Sequence, residues 1–207
     1  MMTAVDGRID CAMTEQMPGV QEYYSTLDSL AAPSRVSRRV TAQLEMARPG
    51  TFEPQDAALG HESFSRNADA DGYEIVIDTR GTLLWDEPDA SERVSRDYLA
   101  YLGGLNISWI VCGKERVDLA RACEILASAF GVERMAVVGG GHINAAFLAA
   151  GLLDEVSVLI GAGIDGRGGM AAVFDGLLMN PPLTQRHLES VKPFESGAVW
   201  LRYTVRN

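Results

Sequence analysis

The stretch Val137-Val138-Gly139-Gly140-Gly141-His142-Ile143-Asn144-Ala145-Ala146-Phe147 constrains this chain more than any other. Residues 135–138 read as a buried strand, three glycines follow, and a helical pattern runs from Ile143 to Ala150 before Gly151 closes it. A buried strand feeding a helix through a glycine turn is the building unit of an α/β fold. Glycines also let a ligand approach the backbone closely, and the N–H groups and dipole of the first helical turn attract phosphate. The same residues can equally form a tight strand-to-helix turn that needs glycine only for packing. The spacing is not G-x-G-x-x-G, because Asn144 holds the last position, and no G-K-[ST] follows, so neither standard nucleotide motif is satisfied.

The rest of the chain repeats the alternation of strand and helix. Residues 2–5 read as a short strand entering the turn Asp6-Gly7-Arg8, and Pro18 opens a helix with Val20, Tyr23, Tyr24, Leu27 and Leu30 on one face. The β-branched Val36, Val40 and Thr41 predict a strand over 34–44, followed by a long loop over 47–72 of the length usual for lids and insertions. A strand over 73–78 turns at Thr79-Arg80-Gly81, a helix starts at Ser91 and stops at Gly103-Gly104, and residues 107–112 form an apolar strand. Asp118 caps the next helix, whose face is Leu119, Ala122, Cys123, Leu126 and Phe130, and Gly131 ends it. A strand over 155–160, a glycine-rich loop over 161–182 and a hairpin of 188–194 with 198–205 complete the pattern. Together these predict one α/β domain over 1–207, a mixed sheet with helices on both faces, closed by an antiparallel hairpin. The apolar residues 200–205 would make an exposed edge unless a second copy covers them, so a homodimer is expected.

Composition narrows the partners. Acidic residues outnumber basic ones by 28 to 18, for a formal charge of −10, with no basic run to offset them, which disfavours nucleic acid and anionic membranes. The three cysteines form no C-x-x-C pair and their odd number argues against a disulfide framework, so a reducing cytoplasm is expected. No apolar run approaches a membrane span and no targeting segment is recognisable at the start. His61, His142 and His187 have no metal-ligand spacing with the cysteines or one another, so no metal is expected. Hydrolase motifs such as G-x-S-x-G and S-x-x-K are absent too.

Arg80 and Lys114 both follow strand ends, where open α/β sheets bind ligands, and Thr79 beside Arg80 suits the phosphate monoester that separates NADP from NAD. Either cation can instead be a solvated surface charge. Asp6 is either a turn former or a residue facing the site.

Four segments carry a resemblance: M-T-A-V-D-G-R-I, V-I-D-T-R-G, V-V-G-G-G-H-I-N-A-A-F-L-A-A-G-L-L-D-E-V-S-V-L-I and V-W-L-R-Y-T-V. In this order they resemble the reductase domain of bacterial riboflavin biosynthesis proteins, the RibD C-terminal domain family. The resemblance spans nearly the whole chain. It implies a dihydrofolate-reductase-like fold, a homodimer, and NADPH-dependent reduction of a ribosylaminopyrimidinone phosphate. It also implies cofactor contacts at Gly139, Gly140, Gly141, His142, Ile143 and Asn144, at Thr79 with Arg80, at Thr41, and at Thr3 where the first strand passes the nicotinamide. Asp6 and Val138 fall at substrate positions.

Two departures matter. The family's pyrimidine reductases carry glutamate before the glycines, where this chain has Val138, and their R-x-D-D-P segment is replaced here by Gln43-Leu44-Glu45-Met46-Ala47-Arg48-Pro49. Cofactor positions are kept better than substrate positions. The expectation is therefore an NADPH-dependent oxidoreductase for a pyrimidine or sugar-linked heterocycle, with weak turnover of the riboflavin-pathway substrate itself. A non-catalytic or regulatory NADP-binding module of the same fold is the alternative. No acid/base pair can be nominated, which suits hydride transfer, where positioning and the cofactor dominate. Dihydrofolate reductase proper is disfavoured because its W-x-L-P-x-D entry is missing from the first third of the chain.

Overall fold

The computed structural model describes residues 1–9, 11–55, 61–85, 94–114, 116–177 and 186–205. The elements run β1 (Met2–Thr3), α1 (Cys11–Thr14), α2 (Val20–Ser29), β2 (Ser34–Arg38), α3 (Arg39–Glu45), β3 (Ser63–Ser65), β4 (Glu74–Ile77) and α4 (Arg96–Gly104). They continue with β5 (Trp109–Val111), α5 (Leu119–Phe130), β6 (Met135–Val137), α6 (Gly141–Ala149), β7 (Glu155–Ile160), β8 (Arg186–Pro193) and β9 (Val199–Val205). The chain divides into two compact units, Met1–Ala32 with Val138–Asn207, and Pro33–Val137.

The first unit is built on a mixed sheet in the order β1-β7-β9-β8. β1 runs parallel to β7, whereas β9 is antiparallel to both of its neighbours. Met2, Ala4, Met17, Leu159 and Ala198 form its core, and Met13, Val20, Tyr23 and Trp200 from the helices and β9 pack against them. α2 begins after Gly19, two residues past Pro18, and Tyr24 on its expected apolar face stays 55% exposed with its ring leaning on Tyr23. The hairpin forms as expected, but residues 200–205 are not an edge, because β9 lies between β7 and β8. The edge on that side of the sheet is β8, whose Arg186, Glu189 and Lys192 give it the charge that protects an open edge.

The second unit holds a three-stranded parallel sheet, β4-β2-β6, and a two-stranded antiparallel pair, β3-β5. Adjacent β4 residues point to opposite faces, and each face carries its own core. Val76 joins Ala42, Leu83, Trp85, Val94, Tyr98, Leu102 and Ile107, while Ile75 packs with Cys112, Ile125, Leu126 and Phe130. So α3 and α4 cover one face and α5 the other. α5 starts and stops where the sequence expects, with the Asp118 carboxylate accepting from the Arg121 N–H at 3.0 Å and Gly131 at the end.

Three expectations for this unit need correction. The strand over 34–44 ends at Arg38: the register with β4 runs from Arg35↔Glu74 to Arg38↔Ile77, and beyond it the chain closes into α3, which buries Ala42 completely. α4 starts at Arg96 rather than at Ser91, with the Ser95 hydroxyl capping it by accepting from the Tyr98 N–H at 3.2 Å, and Ser91 itself lies outside the described residues. That helix stops at Gly104, as expected. The 47–72 segment is tied down in part, since β3 pairs with β5 and Phe52 stacks 5.0 Å from both Tyr98 and Tyr101, while residues 56–60 of it lie outside the described set. Among the described residues no helix is long and apolar enough to cross a membrane.

Candidate functional site

In the first unit the glycine turn leads directly into α6. Gly140 takes φ 61° and ψ 147° as the cap of the helix, a left-handed backbone that only glycine adopts cheaply. α6 therefore begins at Gly141, two residues before Ile143, so Gly141, His142 and Ile143 supply the N–H groups of its first turn, where no carbonyl lies one helical turn back to receive them. Gly141 is needed for a different reason. A Cβ there would meet the Ala172 carbonyl oxygen at 2.2 Å and the Asp175 Cβ at 2.9 Å, and the Asp175 N–H donates to the Gly141 carbonyl at 3.1 Å. The packing alternative thus holds for Gly141 and the conformational one for Gly140. Behind the turn, Asn144 is 4% exposed: its Nδ2 donates to the Val173 carbonyl at 2.7 Å, and its Oδ1 has no partner among the described residues. Gly139 is buried and Val138 half-buried.

At the carboxyl end of β1, Thr3 is 3% exposed and its hydroxyl donates to the Arg8 carbonyl at 3.0 Å, fixing the turn that follows. Asp6 faces its own surroundings: its carboxylate accepts from Arg8 Nη1 at 2.6 Å and from the Gly166 N–H at 2.9 Å. Gly166 sits in a second copy of the same tripeptide, Asp165-Gly166-Arg167, where Asp165 is bound by its own arginine through Nη2 at 2.9 Å. The Gly166 N–H, with help from Arg8, holds the Asp6 carboxyl below its ordinary value, and Arg167 does the same for Asp165. Two interlocked D-G-R turns are thus a clamp between the chain after β1 and the chain after β7. This favours the turn-forming role for Asp6, and the repeat of the tripeptide was the overlooked signal.

The second unit places Thr41, Thr79 and Arg80 at one edge. Because β4, β2 and β6 are all parallel, their carboxyl ends share that edge: α3 with half-buried Thr41 follows β2, and Asp78-Thr79-Arg80 follows β4. Asp78 is fully buried and accepts backbone N–H groups from Arg80, Thr82 and Leu83 at 3.1, 2.9 and 3.2 Å. It holds the turn with Thr79 half-buried and Arg80 exposed, a role that residue-by-residue reading missed. Lys114 follows β5, which belongs to the separate β3-β5 pair, so it is not part of this edge. The expected site residues therefore fall into the two units: Thr3, Asp6, Val138 and Gly139 to Asn144 in the first, Thr41, Thr79 and Arg80 in the second. Cys112 and Cys123 are free thiols, and no group of three or more metal-ligating side chains occurs among the described residues.

Comparison with known proteins agrees with this architecture. A pyrimidine reductase-like protein from Corynebacterium diphtheriae superposes with a TM-score of 0.67 at 17% identity, covering 100% of this chain and 90% of its own. RibD from Acinetobacter baumannii gives 0.66 at 15% identity, covering 100% of this chain and 56% of its own. A diaminohydroxyphosphoribosylaminopyrimidine deaminase/5-amino-6-(5-phosphoribosylamino)uracil reductase from Thermotoga maritima gives 0.56 at 13% identity, covering 99% of this chain and 55% of its own. This chain thus spans just over half the length of those last two proteins. At such identities the likeness is one of fold, and that fold is the dihydrofolate-reductase-like α/β arrangement. No curated protein sequence matches. The family profile of the RibD C-terminal domain matches residues 1–199, across both units, and the chain belongs to that family.

Proposed function

We propose that the chain is an NADPH-dependent reductase whose substrate is a small pyrimidine or sugar-linked heterocycle. Family membership over residues 1–199 supports the reaction class, and the observation that carries the cofactor is the turn at α6. Gly140 opens the helix in the left-handed region, so the first-turn N–H groups suit a pyrophosphate. When bound, the nicotinamide supplies the hydride. The chain's own contribution is binding: in the first unit the α6 turn is proposed to receive anionic oxygens of the cofactor, and in the second unit Thr79 and Arg80 are proposed, by themselves, as a phosphate-recognising pair. No side chain is assigned proton transfer.

The riboflavin-pathway pyrimidinone phosphate is proposed to be a poor substrate, because Val138 cannot accept a hydrogen bond from a pyrimidine amino group. A donor left buried and unpaired costs about 1–3 kcal/mol, up to roughly a hundredfold in kcat/KM. The test is NADPH oxidation by wild type and Val138→Glu with that compound. A gain for the variant supports the reading, and wild-type turnover at an ordinary biosynthetic rate overturns the argument from Val138. The alternative, a binding module without turnover, predicts tight NADPH binding with no oxidation against any heterocycle tried.

A homodimer is also proposed, now on different grounds. Cross-strand register puts Val156, Tyr203 and Leu188 opposite one another, and likewise Val158, Leu201 and Val191. Directly opposed residues share a face, so these six make an apolar sheet face, on which Leu188 and Val191 are 46% and 53% exposed. A two-fold partner would cover it. Light scattering at twice the 22.4 kDa chain mass is expected, and a concentration-independent monomer mass would refute it.

A further inference from the structure

We propose that residues 171–176 form a strap over the first turn of α6 and that Asn144 is a positioning residue whose amide latches it, fixing the turn that receives the cofactor's anionic oxygens. The proposal deepens the reductase reading and rests on it only for the identity of the ligand.

The cost of Asn144 is the first observation. It is the only buried polar residue of α6, set among buried Ile143, Ala145 and Phe147. Its Oδ1 has no partner among the described residues, and a buried acceptor without a donor destabilises a fold. An apolar side chain of the same size would suit the helix better, so α6 itself does not explain an asparagine here. What the asparagine gains is one bond outside the helix: its Nδ2 donates to the Val173 carbonyl at 2.7 Å, 29 positions along the chain.

The path of residues 171–176 is the second. At one end the Ile9 N–H donates to the Ala171 carbonyl at 2.9 Å and Arg8 bridges Ala172, which ties the segment to the D-G-R turn after β1. Ala172 then crosses Gly141 so closely that no side chain fits between them. Past Val173, the Asp175 N–H donates to the Gly141 carbonyl at 3.1 Å, and Gly176 lies against the His142 ring, where a Cβ would come within 2.6 Å of Cδ2. All of these residues belong to the first unit. Residues 171–176 lie in no helix or strand, so their place over α6 depends on these few contacts.

The strap rests where α6 has the fewest bonds of its own. The N–H groups of Gly141, His142 and Ile143 have no carbonyl one turn back, and the strap grips this turn at Gly141 and His142. Asn144 stands just beyond and closes the grip. It acts on a bound anion through the strap: the amide shapes the turn, and the turn binds.

Calorimetry with NADPH, thermal melts and hydrogen exchange of the 171–176 backbone test the latch in wild type, Asn144→Leu, Asn144→Ala, and Thr26→Val as a control. Thr26 is a buried residue of α2 whose hydroxyl donates to the Tyr23 carbonyl at 2.9 Å, within its own helix. Leucine keeps the volume and removes the unpaired oxygen, so that variant is expected to melt within about 2 °C of wild type or higher, whereas alanine leaves a cavity and melts lower. Both lose the latch equally. Exchange at 171–176 is expected to rise about three- to tenfold in both, and NADPH to weaken by a similar factor in both, the range that one neutral hydrogen bond allows. Thr26→Val is expected to stay within about twofold of wild type in both readouts. If asparagine serves only the fold, affinity follows the melting temperature and the leucine variant either binds like wild type or melts far below it; either result overturns the proposal. So does unchanged exchange at 171–176 in both Asn144 variants, or an equal weakening of NADPH by Thr26→Val. If wild type binds neither NADPH nor NADH, the reductase reading fails, and exchange alone decides whether Asn144 latches the strap.

Discussion

Replacing Asp78 by alanine removes the carboxylate that holds the turn after β4. Its Oδ1 accepts one backbone N–H, from Arg80 at 3.1 Å, and its Oδ2 two, from Thr82 at 2.9 Å and Leu83 at 3.2 Å. Hydrogen bonds to a charged group are worth about 1.5–3 kcal/mol each, so the three contribute roughly 4.5–9 kcal/mol before the cost of burying the charge. That cost is several kcal/mol, because Asp78 is fully buried with no cation paired to it in the described structure, and it offsets about half. Arg80 is exposed, so water can take over its N–H, whereas Leu83 is fully buried and its N–H would go unpaired. The net loss expected for Asp78→Ala is about 3 kcal/mol, or roughly 6–12 °C in Tm for a chain of this size. Asp78→Asn can keep the oxygen that serves Thr82 and Leu83 and give up only the Arg80 bond, for a loss of about 1 kcal/mol. Thermal melts followed by circular dichroism, with guanidinium titrations as a second measure, separate the three proteins. If alanine melts within about 2 °C of wild type, or if asparagine is as damaging as alanine, the carboxylate does not hold the turn as argued.

The two neighbouring glycines should fail differently. Gly140→Asp puts a side chain at φ 61° and a negative charge at the α6 N-terminus, so calorimetry should show NADPH affinity reduced at least tenfold, whereas equal affinity would remove this turn from the cofactor site. Gly141→Ala drives a Cβ toward the Ala172 carbonyl 2.2 Å away, and a loss of roughly 2 kcal/mol or more in urea melts is expected. The D-G-R clamp has a pH signature: Asp6 and Asp165 both lie below the ordinary 3.8 when folded, so their stabilisation is present above that pH and disappears as pH falls through the folded values. Asp6→Asn/Asp165→Asn should accordingly melt lower than wild type at neutral pH and converge with it in acid, and a constant difference down to the lowest pH would refute the linkage. Ser95→Ala removes the hydroxyl that accepts the Tyr98 N–H at 3.2 Å and should cost about 1 kcal/mol in thermal melts, and an unchanged melt would refute the cap.

Most of the strand-helix order, though not α1, α3 or β3, together with the α6 turn, the Asp118 and Gly131 ends of α5 and the closing hairpin, was readable in the sequence, because each depends on residues adjacent in the chain. Periodicity of apolar residues and the special chemistry of glycine and caps act locally, so local pattern is enough to find them. The glycine run also carried the right ambiguity, needed at Gly140 for backbone conformation and at Gly141 for the approach of residues 172–175.

Partners distant in the chain decided the rest. The β-branched residues over 34–44 favour a strand, yet a strand persists only while a neighbour offers hydrogen bonds, and β4 ends opposite Arg38. Residues 200–205 read as an exposed edge until β7 is seen pairing with β9 on the side away from its hairpin partner β8. Asp6 reads as either a turn former or a residue facing the site until Gly166, 160 positions away, donates to it. Hydrogen bonds and burial between segments far apart carry no signature within either segment, which is why tertiary structure alone settles where a strand stops, which strand is the edge, and which carboxylates are already engaged.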